Sequence, residues 1–425
     1  MKTIFCCAVG LAALAWVTTT VAGTINQPHN PRAIGGKMYF TGSVASSGTG
    51  LYVTDTAMRT AKRVFRSEPP LVDTAVGELG ARVLVERSDQ YGRGTLWSID
   101  PVGGGREQLA PLPSSGLPDA PRTQPMGPVG ARSLFLVSVN SWQQLWSSDD
   151  TAAGTQLVLD YVYAGCALPQ RGVVVRRAGS RFTVWGSDGT VAGSTQAFAT
   201  MQDTYRVHAR RSGAFCYFVF ARGAGWELWR SDGTANGSNV LAQSTDGTPR
   251  GLAVIGSVAY LIDAIPQHAR LWRSDAAQPV ARHDGDFFED APFEAVGNRL
   301  TYIAPYLYGS QSWTGLFVSD GTAAGTQQVG NRFTFGPIYC AMALGSRIVV
   351  VDVQRVSNVD PATVLWTPSP VPEYMACSGA VVNGVAVGSG FGVTGEEAWR
   401  SDGTEAGTYA LQEARDLLFA SGFER

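Results

Sequence analysis

The segment LWRSDGTANGSNVL, which begins at Leu228, decides the fold because close copies of it recur along the chain. Four further copies are clear: LWSSDDTAAGTQLV, VWGSDGTVAGSTQAF, LFVSDGTAAGTQQV and AWRSDGTEAGTYAL, starting at Leu145, Val184, Leu316 and Ala398. Degenerate copies at Leu51, Leu96, Leu271 and Leu365 bring the number to nine. From Asp55 in the first copy to Asp402 in the last, eight intervals span 347 residues. The mean period of about 43 residues is that of a four-stranded propeller blade.

Each copy predicts a strand that runs into a tight turn. Leu145 and Trp146 would point to opposite faces of a strand, and large apolar groups on both faces require a sheet packed on both sides. An Asp side chain can accept backbone N–H groups two residues on, and Gly supplies a positive φ. The predicted structural turn residues are Asp149, Asp188, Gly189, Asp232, Gly233, Asp320, Gly321, Asp402 and Gly403. The recurring tryptophans are predicted to form the blade core: Trp97, Trp146, Trp185, Trp229, Trp272, Trp366 and Trp399.

The sequence therefore predicts an all-β protein, a β-propeller of about eight to nine four-stranded blades with one blade per repeat. Taking Ser369 as the equivalent of the Asp in the eighth copy leaves an interval of only 33 residues to Asp402. This short interval leaves open whether eight or nine blades close the ring. Residues 1–22 are interpreted as a signal peptide, residues 23–412 as the propeller of nine repeats, and residues 413–425 as a C-terminal tail.

The N-terminus predicts export. Lys2 precedes an apolar run from Ile4 to Val17, and the Thr20-Val-Ala22 segment resembles a small-residue cleavage site. The alternative is a membrane anchor, but the run is shorter than the roughly 20 apolar residues that cross a bilayer. We expect a secreted, periplasmic or cell-surface protein with no stable membrane insertion.

Export permits disulfides, and four cysteines follow the leader: Cys166, Cys216, Cys340 and Cys377. They allow three pairings, which sequence alone does not distinguish. Cys340 and Cys377 occupy equivalent positions before the apolar segments of consecutive repeats, which favours a bond between them. Cys166 with Cys216 would then follow by elimination.

The repeats resemble the ELWxxDGTxxGT units of secreted bacterial proteins, also called hyalin-like repeats, and ELWRSDGT from Glu227 matches that pattern almost completely. The resemblance covers nearly the whole chain after the leader. In the first, second, sixth and eighth copies DGT is replaced by DTA, DPV, DAA and PSP, which predicts altered turns there. The resemblance implies a repeat architecture at or outside the cell surface, with no reaction attached. The closing FASGFE, from Phe419, also resembles short tails on exported proteins of some Gram-negative bacteria.

Composition excludes several partners. The formal net charge is -2 and 16% of residues are charged, so no basic field attracts nucleic acid. No cofactor motif and no catalytic motif occur, and the four histidines, His29, His208, His268 and His283, stand outside any nucleophile pattern. The Asp turns offer one carboxylate each, too few for a calcium loop. The remaining weak metal candidates are Asp284, Asp286, Glu289 and Asp290, for which a solvated acidic loop is the simpler interpretation.

The favoured function is a non-enzymatic, monomeric binding scaffold for an unknown protein, glycan or surface component. Its ligand would bind through loops at one face of the ring, where insertions of repeat proteins collect. The possible ligand surface is Trp142, Trp226 and Trp313, which precede the motif in loop-like segments; covering a sheet edge is the alternative role. The alternative function is a propeller hydrolase or lyase whose catalytic residues are dispersed around the central channel.

Overall fold

The computed structural model describes residues 24–45, 48–67, 71–102, 104–114, 123–140, 142–200, 204–223, 225–285, 293–308, 311–330, 338–352, 356–371, 379–392 and 395–414. All regular elements in these ranges are β-strands. Within the same ranges, no helix has the length and apolar character needed to cross a membrane.

The strands fall into consecutive groups of four, which we call units. Unit 1 comprises β1 Asn26–Ile34, β2 Lys37–Val44, β3 Gly48–Thr54 and β4 Ala61–Arg66. Unit 2 comprises β5 Val72–Leu79, β6 Arg82–Ser88, β7 Gly94–Ile99 and β8 Arg106–Leu112. Unit 3 comprises β9 Thr123–Val129, β10 Arg132–Val139, β11 Trp142–Ser148 and β12 Gln156–Leu168. The long β12 continues as the first strand of unit 4. Unit 4 adds β13 Arg171–Ala178, β14 Arg181–Ser187 and β15 Thr195–Ala199 to β12. Unit 5 comprises β16 Thr204–Ser212, β17 Phe215–Arg222, β18 Gly225–Ser231 and β19 Asn239–Ser244. Unit 6 comprises β20 Thr248–Ile255, β21 Val258–Ile265, β22 His268–Arg273 and β23 Ala281–Asp284.

Unit 7 comprises β24 Phe293–Val296, β25 Arg299–Tyr308, β26 Gln311–Ser319 and β27 Gln327–Gln328. Unit 8 comprises β28 Ile338–Leu344, β29 Arg347–Asp352, β30 Val356–Asp360 and β31 Leu365–Pro368. Unit 9 comprises β32 Ala380–Val382, β33 Val385–Gly392, β34 Gly395–Ser401 and β35 Tyr409–Ala410. All strand pairs within a unit are antiparallel, as in a meander. Units 3 and 4 share β12 and so form one seven-stranded sheet.

The described residues form nine units that close into a ring. Nine buried apolar clusters follow one another, and each is built from the side chains of two adjacent units. The last cluster joins unit 9 to unit 1 through Val387, Ala398 and Leu411 against Met38 and Phe40. From unit 1 to unit 8, and again between units 9 and 1, the first strands of adjacent units pack against each other, so these inner strands line the central axis. The fold is a β-propeller with nine four-stranded blades.

The repeated Leu-Trp pair explains how one motif builds every interface. In unit 5, Leu228 is buried in the cluster shared with unit 6, whereas Trp229 packs on the cluster shared with unit 4. The same division holds for the pairs of units 2, 3, 4, 6 and 9. The tryptophans of these six units are only half-buried, so the fully buried position belongs to the residue that precedes each of them.

In units 2 to 5 the polar residue two positions before the tryptophan accepts the indole N–H, whereas the indole nitrogens of Trp272 and Trp399 have no hydrogen-bond partner among the described residues. Trp229 Nε1 donates to Glu227 Oε2 at 2.8 Å, and Trp146 Nε1 donates to Gln144 Oε1 at 3.0 Å. Threonine hydroxyls accept the corresponding bond from Trp97 and Trp185. In unit 5 this bond gives the Glu of the ELW motif a structural role, since it satisfies the indole N–H of Trp229.

The structure corrects the eighth repeat. Leu365 and Trp366 lie on β31, the fourth strand of unit 8, and not on a third strand as predicted. The third strand is β30, and the Asp at its end is Asp360, whose carboxylate accepts the backbone N–H of Ala362 at 2.8 Å. The intervals from Asp320 to Asp360 and on to Asp402 are then 40 and 42 residues, so the anomalous interval disappears. The prediction was wrong because the third strand, β30, contains no Leu-Trp pair, whereas the fourth strand, β31, does.

The two ends of the described chain close the ring together. Ala398 N donates to Ile25 O at 2.8 Å, so the first described residues extend the outer edge of unit 9. In return, Ala61 N donates to Gln412 O and Ala414 N donates to Ala61 O, which adds the C-terminal segment to unit 1. The closure thus continues two residues beyond the predicted end of the propeller at residue 412.

One disulfide joins neighbouring units. Cys166 on the inner strand of unit 4 is bonded to Cys216 on β17 of unit 5, with a Cα–Cα distance of 6.3 Å. This is the pairing that the sequence reached only by elimination. The favoured pair, Cys340 with Cys377, lies outside the described side chains.

Candidate functional site

The up-and-down course of each unit gives the ring two different faces. One face, which we call the turn face, carries the turns between first and second strands and the SDGT turns between third and fourth strands. The other, the loop face, carries the turns between second and third strands and the connections from one unit to the next. The bounds of β8 and β9 leave ten residues between these two strands of consecutive units, more than any turn between a third and a fourth strand has. The loop face is therefore the better candidate for a ligand-binding surface, because insertions in repeat proteins collect on the binding face.

The SDGT turns of the turn face are closed hydrogen-bonded units. In unit 4, Asp188 Oδ1 accepts from the backbone N and Oγ1 of Thr190, at 2.8 and 2.7 Å. Thr190 Oγ1 in turn accepts from Gly193 N at 2.9 Å, and Ser187 Oγ accepts from Gly189 N at 3.1 Å. The Thr190 hydrogen bond lowers the pKa of Asp188. The same Asp-to-Thr bonds occur at Asp149, Asp232, Asp320 and Asp402.

The turn glycines serve both conformation and packing. Gly189, Gly233, Gly321 and Gly403 have φ between 84° and 90°, a region that favours glycine. Ser147 Oγ of unit 3 donates to Gly189 O of unit 4 at 2.5 Å, so the turn also touches the preceding unit. Asp150 takes the glycine position in unit 3 with φ 74°, and its carboxylate bonds Ser98 and Arg82 of unit 2. These contacts place the SDGT turns in the interfaces between units.

The described part of the chain brings no three His, Cys, Asp or Glu residues together at metal-binding distance. Asp284 forms an ion pair with Arg282 at 2.9 Å, and both side chains are exposed. Asp286, Glu289 and Asp290 lie outside the described residues, so that predicted cluster is not tested.

The four histidines are spread around the ring. His29 lies on β1 and His208 on β16, while His268 Nδ1 is 3.5 Å from an Arg282 nitrogen. His283 is buried between units 6 and 7, with Nε2 2.9 Å from the hydroxyl of Tyr302. Burial lowers the pKa of His283 to about 4, with Asp284 acting in the opposite direction. This histidine is therefore neutral at physiological pH inside an aromatic cluster.

A cavity of about 640 Å³ opens on the turn face of units 1 to 3. Its wall is apolar at Ile34, Leu79 and Met126, and it carries the carboxylates of Glu78, Asp149 and Asp150. Glu78 pairs with Lys37 at 3.1 Å, and Asp149 pairs with Arg132 at 3.1 Å. Asp150 pairs with Arg82 at 3.0 Å, so each of the three carboxylates has a cationic partner and the described lining presents no uncompensated charge to a ligand.

The exposed aromatic side chains concentrate on the loop face. Tyr161 is 50% exposed, and its ring centroid lies 5.2 Å from that of the half-buried Trp142. Tyr163 and Tyr205, which are 39% and 50% exposed, stand at the loop-face ends of the inner strands of units 4 and 5. We call Trp142, Tyr161, Tyr163 and Tyr205 the aromatic patch.

Backbone irregularities position three of these four side chains. Tyr161 has φ 59°, a conformation that costs a non-glycine residue roughly 1–2 kcal/mol. Tyr163 is the extra residue of a β-bulge between Val162 and Ala164, and Tyr205 occupies the equivalent bulge of β16. Bulges re-aim side chains and are over-represented beside functional sites. Strain and repeated bulges at one surface are therefore an indication of function.

Of the three tryptophans predicted as a possible ligand surface, Trp142 lies half-buried at the loop face and Trp226 is not at the surface. Trp142 belongs to the patch. Trp226 is fully buried, and its Nε1 donates to Asp263 Oδ2 of unit 6 at 2.8 Å, so it is an interface residue. The Trp226 prediction was wrong because the segment before the motif is already strand β18. The side chain of Trp313 is outside the described part.

Sequence analysis missed the three tyrosines. They lie between a motif and the next apolar strand, a segment in which the sequence indicated no site residue. The signal that could have revealed them is the stretch Asp160-Tyr-Val-Tyr163, which has strand-like alternation and no Gly, Pro or Asn to end the preceding strand.

Fold and site together define the class: a nine-bladed propeller with an aromatic surface at one face. No protein-family model matches the chain, and no curated protein sequence matches it. Among solved structures it is similar to a Mycobacterium tuberculosis puromycin-hydrolyzing peptidase, at 13% identity and TM-score 0.42 over 94% of this chain and 55% of that one. BamB from Moraxella catarrhalis is similar at 12% identity and TM-score 0.40, over 80% of this chain and 98% of that one.

The chain spans 60% and 57% of the lengths of two puromycin hydrolase chains, at 14% and 15% identity and TM-scores of 0.38 and 0.36, with 81% and 77% of this chain covered. The strand pairing and the closure of the ring between units 9 and 1 define the propeller fold.

Proposed function

We propose that this chain is an exported ELWxxDGT-type repeat protein that acts as a non-enzymatic binding scaffold, and that its loop face binds a glycan through the aromatic patch. The observation that carries the proposal is the Trp142–Tyr161 pair, in which a half-exposed ring is held by a strained backbone. The propeller supplies the rigid support, and the patch supplies the contact surface.

The chemistry of the patch suits a sugar. Tryptophan and tyrosine offer large rigid apolar faces with a polar tip, and ordering them for binding costs little side-chain entropy. Polar groups lie beside the rings: Gln144 Nε2 donates to Asp160 Oδ1 at 2.7 Å, and Gln143 is half-buried next to Trp142. An apolar plane edged by amide and carboxylate groups can stack on a sugar ring and bond its hydroxyls.

The test is a glycan-array screen of the wild type followed by calorimetry with the best oligosaccharide. Tyr161→Ala and Trp142→Ala should each weaken binding about tenfold or more, the loss expected for a central aromatic contact. The matched control is Phe391→Ala, which removes a 76% exposed aromatic from the loop face of unit 9. Equal affinities for all four proteins would overturn the patch. Loss of binding to a protein partner, with no glycan bound, would replace the glycan by a protein ligand.

Export and the absence of catalysis stay part of the proposal. Mass spectrometry of the protein purified from a Gram-negative host should find a mature chain that begins near Gly23. The hydrolase or lyase alternative is tested by incubating the bound ligand with the wild type. Recovery of intact ligand supports the scaffold, and cleavage products would support the alternative.

A further inference from the structure

The inner wall of the propeller is unevenly charged. On units 5 and 6, the inner strands β16 and β20 carry Arg206, Arg210, Arg211 and Arg250. The only carboxylate on these two strands and the next one, β24, is Glu294. This concentration of arginine stands out in a chain whose formal net charge is -2.

Three residues of β16 form a row on one side of the strand. Val207 and Ala209 pack on the cluster between units 4 and 5, so strand alternation places Arg206, His208 and Arg210 on the opposite side. Arg210 lies 3.9 Å from Glu294, which belongs to unit 7. Because unit 6 lies between them, these two side chains meet over β20 on the axis side. We call Arg206, His208 and Arg210 the basic row.

The row is accessible and only partly neutralised. The side chains of Arg210 and Glu294 are 52% and 48% exposed, and their separation of 3.9 Å is that of a loose ion pair. The guanidinium of Arg206 is half-buried and has no hydrogen-bond or ion-pair partner among the described residues. A half-buried arginine without a carboxylate favours binding of an external anion, since its fork of donors matches a carboxylate or sulfate group.

The row continues the aromatic patch into the channel. Tyr205 of the patch immediately precedes Arg206, and Tyr163 stands at the equivalent bulge of the neighbouring inner strand. Resting on the proposed glycan-binding function, we propose that the ligand is an acidic polysaccharide. Its sugar rings would stack on the patch while its carboxylate or sulfate groups bind Arg206 near the loop-face mouth of the channel and Arg210 further along β16, toward the turn face.

A nucleic acid is the less suitable polyanion. Binding a duplex or a single strand requires basic residues spread along a surface many phosphates long, and here the row is confined to one inner strand. A short run of acidic sugars needs only two cationic contacts, which Arg206 and Arg210 offer.

The experiment compares two hexasaccharides by calorimetry: a galacturonic acid hexamer and a neutral glucose hexamer. The double variant R206Q/R210Q should weaken uronate binding about tenfold or more, because charge-assisted hydrogen bonds are lost. Binding of the neutral hexamer should stay within about twofold, and raising the salt concentration should weaken only the uronate complex. The matched control is R59Q/R106Q, which removes two exposed arginines from units 1 and 2. Thermal melting checks that both variants fold.

The outcomes separate this inference from the proposed function. If the patch variants lose both hexamers while R206Q/R210Q changes neither, the basic row is excluded and the patch stands. If R206Q/R210Q no longer binds the uronate hexamer while the patch variants still bind it, the basic row is supported as the anion site and the aromatic patch is rejected as the glycan site. A sulfated hexamer that binds more tightly than the uronate would identify sulfate as the preferred anion and support the row. Equally tight binding of a hexa-aspartate peptide would overturn the choice of a glycan.

Discussion

At the scale of single residues, the second glycine of each SDGTxxG turn is fixed by the aspartate that precedes it. A Cβ built on Gly237 would collide with the carboxylate of Asp232, and the same collision occurs at Gly154, Gly193, Gly325 and Gly407. The Asp side chain is held in that position by its bonds to Thr234. The motif spacing is therefore a packing requirement as well as a turn signal.

We predict that Gly237→Ala lowers the free energy of unfolding by about 1–3 kcal/mol, the usual cost of overpacking. Asp232→Ala should cost about 1 kcal/mol through the lost turn bonds. In the double variant the collision is absent, so urea denaturation should give a loss smaller than the sum of the two single losses. Additive losses would show that the carboxylate is not what excludes the alanine.

His283 makes stability depend on pH. Its folded pKa of about 4 lies below the ordinary value of 6.5, so between these values the unfolded chain binds a proton that the folded chain rejects. Stability should fall as pH drops from 6.5 to about 4, by about 3 kcal/mol in total. The free energy of unfolding, measured by urea denaturation at several pH values in this range, should depend less steeply on pH in His283→Gln than in the wild type or in His268→Gln. An unchanged slope in His283→Gln would show that this ring is protonated in the folded state.

At the scale of elements, the sequence specified strands and turns well because each repeat restates them. It predicted the SDGT turns and the packing on both faces of the sheet. It misassigned unit 8 because the third strand, β30, lacks the Leu-Trp pair and the next strand happens to contain one. It missed the patch because bulges and a strained tyrosine arise from the connection between units, which no repeat signal encodes.

The disulfide between units 4 and 5 should stabilise their interface. It closes a chain segment of 50 residues, for which the loop-entropy account gives about 4 kcal/mol. We predict that Cys166→Ser with Cys216→Ser lowers the free energy of unfolding by about 2–4 kcal/mol in denaturant melts. The variant Cys340→Ser with Cys377→Ser keeps Cys166 and Cys216 as its only cysteines after the leader, so a reductant acts on this bond alone. If reductant leaves that variant unchanged, the bond does not contribute to stability.

At the scale of the whole molecule, closure depends on both ends of the described chain. Leu411 is fully buried in the cluster between units 9 and 1, and the segment up to Ala414 bonds to Ala61 of unit 1. The aromatic patch lies on units 3 to 5 of the same ring, so opening the ring would remove the rigid support of the patch as well as lower stability.

A chain ending at Ala410 should therefore melt at least about 5 °C below the full chain, because it loses a core leucine and the closing bonds. A chain ending at Ala414 keeps every described contact and should melt with the wild type. Equal melting temperatures for the two truncations would contradict closure by this segment.

The measurement that tests the central claim most directly is a crystal structure of the wild type with its tightest-binding oligosaccharide. The account predicts a sugar ring stacked against Trp142 and Tyr161 on the loop face. Ligand density in the turn-face cavity beside Glu78, with the patch bare, would contradict it.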